Sequence, residues 1–221
     1  MKVVHQKVSV LWCPPIPLER IEEAGRTSYL SQDKMTDGSA KKFTDRLVRL
    51  GHDSVLEHVS MSLHFLTNIG VGRELLRHRH TSPTEQSTRY VNFSGREMRF
   101  IEPVWWDEWS AEEQAIWTWQ MVEAEKAYRR LIKAGSSPQK AREVLPLALA
   151  TEIALTANLR EWRHIFALRA LGTTGKPHPQ MQALMAQALD MCAALVPVVF
   201  DDLVAAARIA GLLPIGGEAP C

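Results

Sequence analysis

The hydrophobic pattern of this chain switches between a period of two and a period near 3.6, and the switches divide it into elements. KVSVLW (7–12) alternates and then meets CPPIP, so a strand is expected that prolines end, because proline supplies no donor to a ladder. PLERIEEAGRTSYL starts a helix, with Pro17 suited to its first turn. From Ser39 to Leu50, Phe43, Leu47 and Leu50 recur at helical spacing, and Gly51 supplies a stop. VSMSLHF (59–65) places Val59, Met61, Leu63 and Phe65 on one side and Ser60, Ser62 and His64 on the other, the clearest strand pattern in the chain.

Gly70 and Gly72 interrupt that period, and VGRELLRHR reads as a short helix with Arg73 and Arg77 on one face. A polar loop containing Pro83 follows, and EMRFIEP (97–103) reads as a strand. A long helix is expected from about Ser110 to Ala134, opened by a serine cap and an acidic first turn. Pro138 begins a short helix ending near Pro146, LATEIALTAN (149–158) alternates weakly as a strand, and REWRHIFALRAL (160–171) is helical. Beyond His178 the chain reads as one long apolar helix bent at Pro197. No repeat or low-complexity tract interrupts the run, so the expectation is a single α+β domain over 1–221, with helices surrounding an antiparallel sheet.

A hydrophobic content of 46% in 221 residues suffices for a sizeable core. The net charge of +1 gives no global attraction to nucleic acid or an acidic membrane, so a basic site has to be a local concentration. The first ten residues lack the apolar core of a signal peptide, and no run has the length of a membrane span. Cys13, Cys192 and Cys221 are scattered and without CxxC spacing, which argues against a disulfide framework and fits a reducing cytoplasm.

That concentration is RHRHTSPTEQSTRY (77–90), whose first four residues are all arginine or histidine. Adjacent bases repel one another and add little to fold stability, so an anionic ligand is expected. Five histidines, His52, His58, His64, His78 and His80, lie nearby, but their spacings match no zinc arrangement and the arginines would repel a dication; no metal is expected. Arg77, Arg79, Arg89, Arg142, Arg163 and Arg169 carry guanidinium forks that match phosphate and carbonyl oxygens, although each alone also reads as a solvated charge. Glu57, Glu74 and Glu85 would moderate the repulsion or accept from sugar hydroxyls. Neither GxGxxG nor GxxxxGKS is present. Five tryptophans between Trp105 and Trp119 read as a core or subunit-contact cluster, with a base-stacking platform as the alternative. On these residues alone, a nucleic-acid-binding module stays open.

Order and spacing go further. RHR, seven residues and Ser87 form the RHRx7S signature, and HDSVLEH (52–58), AREVLP (141–146) and NLREWRHIFALR (158–169) stand around it in matching order. With these the chain resembles the flavin-dependent thymidylate synthases over roughly Val3 to Pro214. The resemblance implies an α+β homotetramer with active sites shared between subunits. It implies C5-methylation of dUMP with FAD, NADPH as reductant and methylenetetrahydrofolate as one-carbon donor, without a cysteine nucleophile. By the same resemblance Ser54, Arg77, His78, Arg79, Glu85, Asn158, Arg160 and His164 fall on flavin-contacting positions. Glu74, Arg77, Glu85, Gln86, Ser87, Thr88, Arg89, Arg142 and Arg169 fall on the nucleotide side. Arg169 is the implied catalytic cation, held at the pyrimidine carbonyls where it would stabilise charge developing on the ring. Inside the signature SPTEQS replaces the usual SYNExS, which changes the loop's path and donors through Pro83, Thr84 and Gln86. The departure brings in UMP as an accepted or preferred substrate, and hydroxymethyl transfer as a further variant of the chemistry.

Overall fold

The computed structural model describes residues Met1–Pro214, so Cys221 lies outside the described residues. The N-terminus supplies two strands rather than one, β1 (Lys2–Val4) and β2 (Lys7–Trp12). Helix α1 (Pro17–Thr27) starts on Pro17 as its sequence requires. It is followed by Leu30, a non-glycine residue in the left-handed region (φ 46°) that is 84% exposed. Helix α2 (Ser39–Arg49) and a 3-10 turn at Asp53–His58 lead into β3 (Ser60–Asn68), in which Met61, Leu63, Phe65 and Thr67 alternate inward.

Asn68 caps α3 (Ile69–Leu75) by accepting from the Val71 amide at 2.8 Å. The helix stops before the RHR triplet, because Arg77 N turns back onto Glu74 O in a tighter i to i−3 bond at 3.3 Å. The segment read as a loop instead forms β4 (Ser82–Glu85). Pro83 is tolerated there because β4 is an edge strand in the sheet order β2-β3-β6-β4. Strand β5 (Arg99–Ile101) precedes the long helix α4 (Ala111–Lys133), which opens on a full capping box between Ser110 and Glu113. Helix α5 (Pro138–Ala141) runs into a 3-10 turn at Arg142–Val144. Strand β6 (Ala150–Asn158) and helix α6 (Leu159–Arg169) complete the motif-bearing part of the chain. The C-terminal apolar stretch is two helices, not one bent helix: α7 (Pro179–Leu195) and α8 (Asp201–Ile209). Between them Pro197 removes a donor and Val198 takes a left-handed φ of 65°, which no helix continues.

In the four-stranded sheet β3 and β6 run antiparallel. Leu159 N donates to Val59 O, the Ser62 and Thr156 hydroxyls meet at 2.7 Å, and Ile69 N donates to Leu149 O, so partner numbers fall as their own rise. A separate pair, β1 with β5, is parallel.

The chain divides into two compact units. The first comprises Met1–Lys7, Phe65–Arg77 and Pro83–Ala154, with Met98, Phe100, Met121, Tyr128 and Leu149 at its core. Trp117 packs against that core, and Trp106 meets Trp117 edge-on at 5.5 Å and lies beside Trp109 at 6.2 Å. Trp106, Trp109 and Trp117 therefore serve packing, whereas Trp119 is 63% exposed. The second unit comprises Val8–His64, His78–Ser82 and the described residues from Leu155 to Pro214. In it the Trp162 indole donates to Met61 O at 3.1 Å, seating α6 against β3, and Phe166 lies between Trp162 and Phe200. Among the described residues no helix is long and apolar enough to cross a membrane.

Candidate active site

The first unit holds a cavity of about 480 Å³ where α3, the residues after β4 and the AREVLP segment converge. Of the residues expected on the nucleotide side, Glu85, Gln86, Thr88 and Arg142 line it. An Arg142 Nη1 donates to Thr88 Oγ1 at 3.3 Å, so two motifs distant in sequence share one wall. Glu85 Oε1 accepts from the Thr151 hydroxyl at 3.0 Å, and Gln86 N donates to Glu152 O at 2.8 Å, fixing the last residue of β4 and the one after it. Arg73 and Glu143 also line the cavity. Both were missed as site residues, although Arg73 had a signal in its helical spacing from Arg77. Two guanidiniums, two carboxylates, an amide and a hydroxyl around one space suit a phosphorylated, hydrogen-bonding ligand better than an apolar one.

The other nucleotide-side residues of this unit lie outside the cavity lining. Ser87 holds the local loop: its Oγ accepts from Arg89 N at 3.3 Å and its carbonyl accepts from Val91 N at 3.0 Å. Arg89 is exposed, with Nε donating to Gln139 at 3.4 Å and its guanidinium 5.4 Å from the Tyr90 ring centre. Glu74 is half-buried on α3, and Arg77 is exposed in the turn beyond it.

The second unit gathers most of the residues expected at the flavin. Asn158 caps α6 by accepting from Glu161 N at 2.8 Å. Arg160, in the first turn, pairs with Glu57, and that hydrogen bond is the leading cause that raises the Arg160 pKa above its ordinary value. Ser54 is exposed in the preceding 3-10 turn, and Arg79 and His164 are exposed as well. Ser54 and Arg160 thus stand beside the first turn of α6, where the Arg160 guanidinium is held by Glu57 and the Glu161 amide by the Asn158 cap. His78 behaves differently from the rest of the four-base run: it is 7% exposed, so the run is not one charged surface. Its Nε2 accepts from Arg169 Nε at 3.1 Å, and its ring meets His164 edge-on at 6.3 Å. Arg163 is structural, gripping Asp202 with two hydrogen bonds at 2.7 and 2.6 Å and also donating to Val199 O.

A family profile described as "Thymidylate synthase complementing protein" matches residues 10–198, and the flavin-dependent thymidylate synthase of Geobacter sulfurreducens is 32% identical over 208 residues, 89% of this chain and 86% of the relative. The chain belongs to the flavin-dependent thymidylate synthase family. It is an enzyme of that type, as the opening resemblance implied. The family member of Mycobacterium tuberculosis strain H37Rv is 33% identical over 201 residues, covering 82% of this chain and 78% of its own. Among solved structures, the UMP/dUMP methylase PolB of Streptomyces cacaoi bound with 5-Br dUMP superposes with a TM-score of 0.78. It shares 25% identity and covers 94% of this chain and 99% of its own. The same methylase with 5-Br UMP gives a TM-score of 0.74 at 24% identity and supports the shared fold.

Proposed function

We propose that this protein methylates C5 of uridine 5'-monophosphates, taking dUMP and also UMP, with FAD, NADPH and methylenetetrahydrofolate. The single observation that carries the reading is the first unit's cavity, where Arg142 of AREVLP and Glu85, Gln86 and Thr88 of the signature face one space. Arg73 and Arg142 supply the charge for a phosphate, and Glu85, Gln86 and Thr88 supply acceptors and donors for sugar and base. Ser54, His78, Arg79, Asn158, Arg160 and His164 are the flavin residues of this reading, together with Arg77 and Glu85. Ser87, Arg89, Glu74 and Arg77 complete the nucleotide set. Arg169 is the catalytic cation: placed at the pyrimidine carbonyls, it stabilises the negative charge that builds on the ring as C5 becomes nucleophilic.

In balance, the folate's methylene carbon bonds to C5, the C5 proton leaves, and tetrahydrofolate is released. A flavin held by Ser54, His78, Arg79, Asn158, Arg160 and His164 would supply, once reduced by NADPH, the hydride that completes the methyl group. The reading needs no cysteine nucleophile: among the described residues, desolvation raises the thiol pKa of both Cys13 and Cys192, which keeps them protonated and weakly nucleophilic. The reading includes a cytoplasmic homotetramer of single-domain chains.

UMP belongs in the proposal because Gln86, polar where the family usually carries an apolar residue, lines the cavity, and because the chain is similar to a methylase named for both nucleotides. The test is to incubate purified protein with FAD, NADPH and methylenetetrahydrofolate and to quantify methylated product from dUMP and UMP separately. Flavin retention with product from either supports the reading. A protein that neither binds FAD nor methylates a uridylate refutes it.

A further inference from the structure

Glu161 is a carboxylate only 9% exposed, and its position is over-determined. Its amide is capped by Asn158, and its Oε1 lies 3.8 Å from Nδ1 of the buried His78 ring. The other ring nitrogen, Nε2, accepts from Arg169 Nε at 3.1 Å. An arginine Nε carries hydrogen and only donates, so His78 Nε2 keeps its lone pair and the ring proton sits on Nδ1, toward Glu161. The opposite tautomer would set two N–H groups against each other at the Arg169 contact. At 3.8 Å the carboxylate and Nδ1 are beyond hydrogen-bond length, but both side chains are shielded from solvent and salt, so the carboxylate's field acts on the ring with little screening.

Both ends of this chain of groups stand on α6. Glu161 and Arg169 are eight residues apart on one face, a rise of about 12 Å, and a long helical side chain runs back toward the N-terminus, which lets Arg169 reach the ring that Glu161 faces. Thr81 holds the histidine's backbone from its own loop, its hydroxyl donating to His78 O at 2.6 Å. The first turn of α6 lowers the cost of burying the carboxylate, but a glutamine would fill the same volume without any such cost.

We propose that Glu161 and His78 are positioning residues for Arg169: the carboxylate fixes the ring tautomer, and Nε2 fixes the plane of the guanidinium. The role rests on the reading in which Arg169 acts at the pyrimidine. Glu161→Gln removes the charge while keeping the shape, so kcat should fall about tenfold or more, as when an outer partner of a site residue is lost, with KM for dUMP, FAD retention and Tm close to wild type. In an Arg169→Lys background, which has no Nε to orient, the same substitution should add nothing further. The ring-nitrogen NMR shifts of His78 give a readout besides activity: Nδ1-protonated in the wild type and a mixture in Glu161→Gln. Wild-type turnover in Glu161→Gln, an equal loss in both backgrounds, or an unchanged tautomer would each overturn the proposal. Wild-type turnover in Arg169→Lys would instead remove Arg169 from the chemistry, and the tautomer alone would then decide the positioning claim.

Discussion

The Thr151 hydroxyl donates to Glu85 Oε1 at 3.0 Å, tying the middle of the sheet to the last residue of its edge strand and aiming a carboxylate at the cavity. Gly72 on α3 is what lets the helix approach this pair. A Cβ at that position would lie 3.0 Å from Ile153 Cδ1 and 3.3 Å from both Glu85 Oε1 and Thr151 Cγ2. Overpacking costs about 1–3 kcal/mol, and alanine's better helix propensity offsets up to about 1 of it. Gly72→Ala should therefore destabilise the protein by about 1 kcal/mol in urea titration and weaken dUMP binding by calorimetry, because Glu85 has to move. Unchanged affinity would show that Glu85 does not meet the nucleotide.

Arg169→Ala should abolish methylation while leaving flavin bound, since its proposed contact is with the pyrimidine. Loss of a catalytic charge contact costs about 3 kcal/mol or more, over a hundredfold in kcat. Single-turnover kinetics with prebound flavin checks it, and near wild-type turnover would sink the assignment.

Restoring the family loop with the triple change Pro83→Tyr, Thr84→Asn and Gln86→Ile should shift the ratio of kcat/KM for UMP over dUMP toward dUMP. Of the three, Gln86 is the one that lines the cavity, so Gln86→Ile alone should carry most of the shift. Identical ratios in native and restored proteins would mark the departures as neutral.

Asp202 gives a pH prediction. Burial pushes its carboxyl up, but the two hydrogen bonds and the charge of Arg163 outweigh burial and hold it below the ordinary range. A depressed folded pKa contributes stability that is fully present above the unfolded value of about 3.9 and is lost as pH falls through the folded one. Asp202→Asn should therefore flatten the loss of stability below about pH 4. With the carboxylate half exposed, the difference should stay under about 1 kcal/mol. Urea midpoints measured from pH 2 to 6 in both proteins test it.

The elements most legible in the sequence were those with a long, uninterrupted period or a cap. The strict alternation over 59–65 within β3, the bounds of α2 and the Ser110–Glu113 cap could all be read directly. Strand β5 was read within the longer segment 97–103, but β1 and β4 are three and four residues long, too short to show a period, and β4 tolerates Pro83 only through its edge position, a tertiary fact. Pro197 marked a bend there, but that the chain breaks into two helices through the left-handed Val198 left no mark, because α7 is apolar over much of its circumference and no stripe is interrupted. In the site, Glu85, Gln86, Thr88 and Arg142 could be named from their motifs. The inward turn of His78 could not, since its partners Glu161 and Arg169 come from a distant helix and nothing beside it in the sequence marks it as buried. Gly72 showed only as an interruption, without the three side chains that require it.

Leu30 sets how far this fold stands from its own ceiling. A left-handed conformation costs an ordinary side chain roughly 1–2 kcal/mol, and at 84% exposure the leucine recovers almost nothing by burial. Asparagine tolerates that conformation, so Leu30→Asn should raise Tm by a few degrees in a melting experiment, without a new contact being made. The chain thus holds unused thermal headroom at one exposed turn, and substitutions at the site that lower stability can be compensated from there without touching the chemistry.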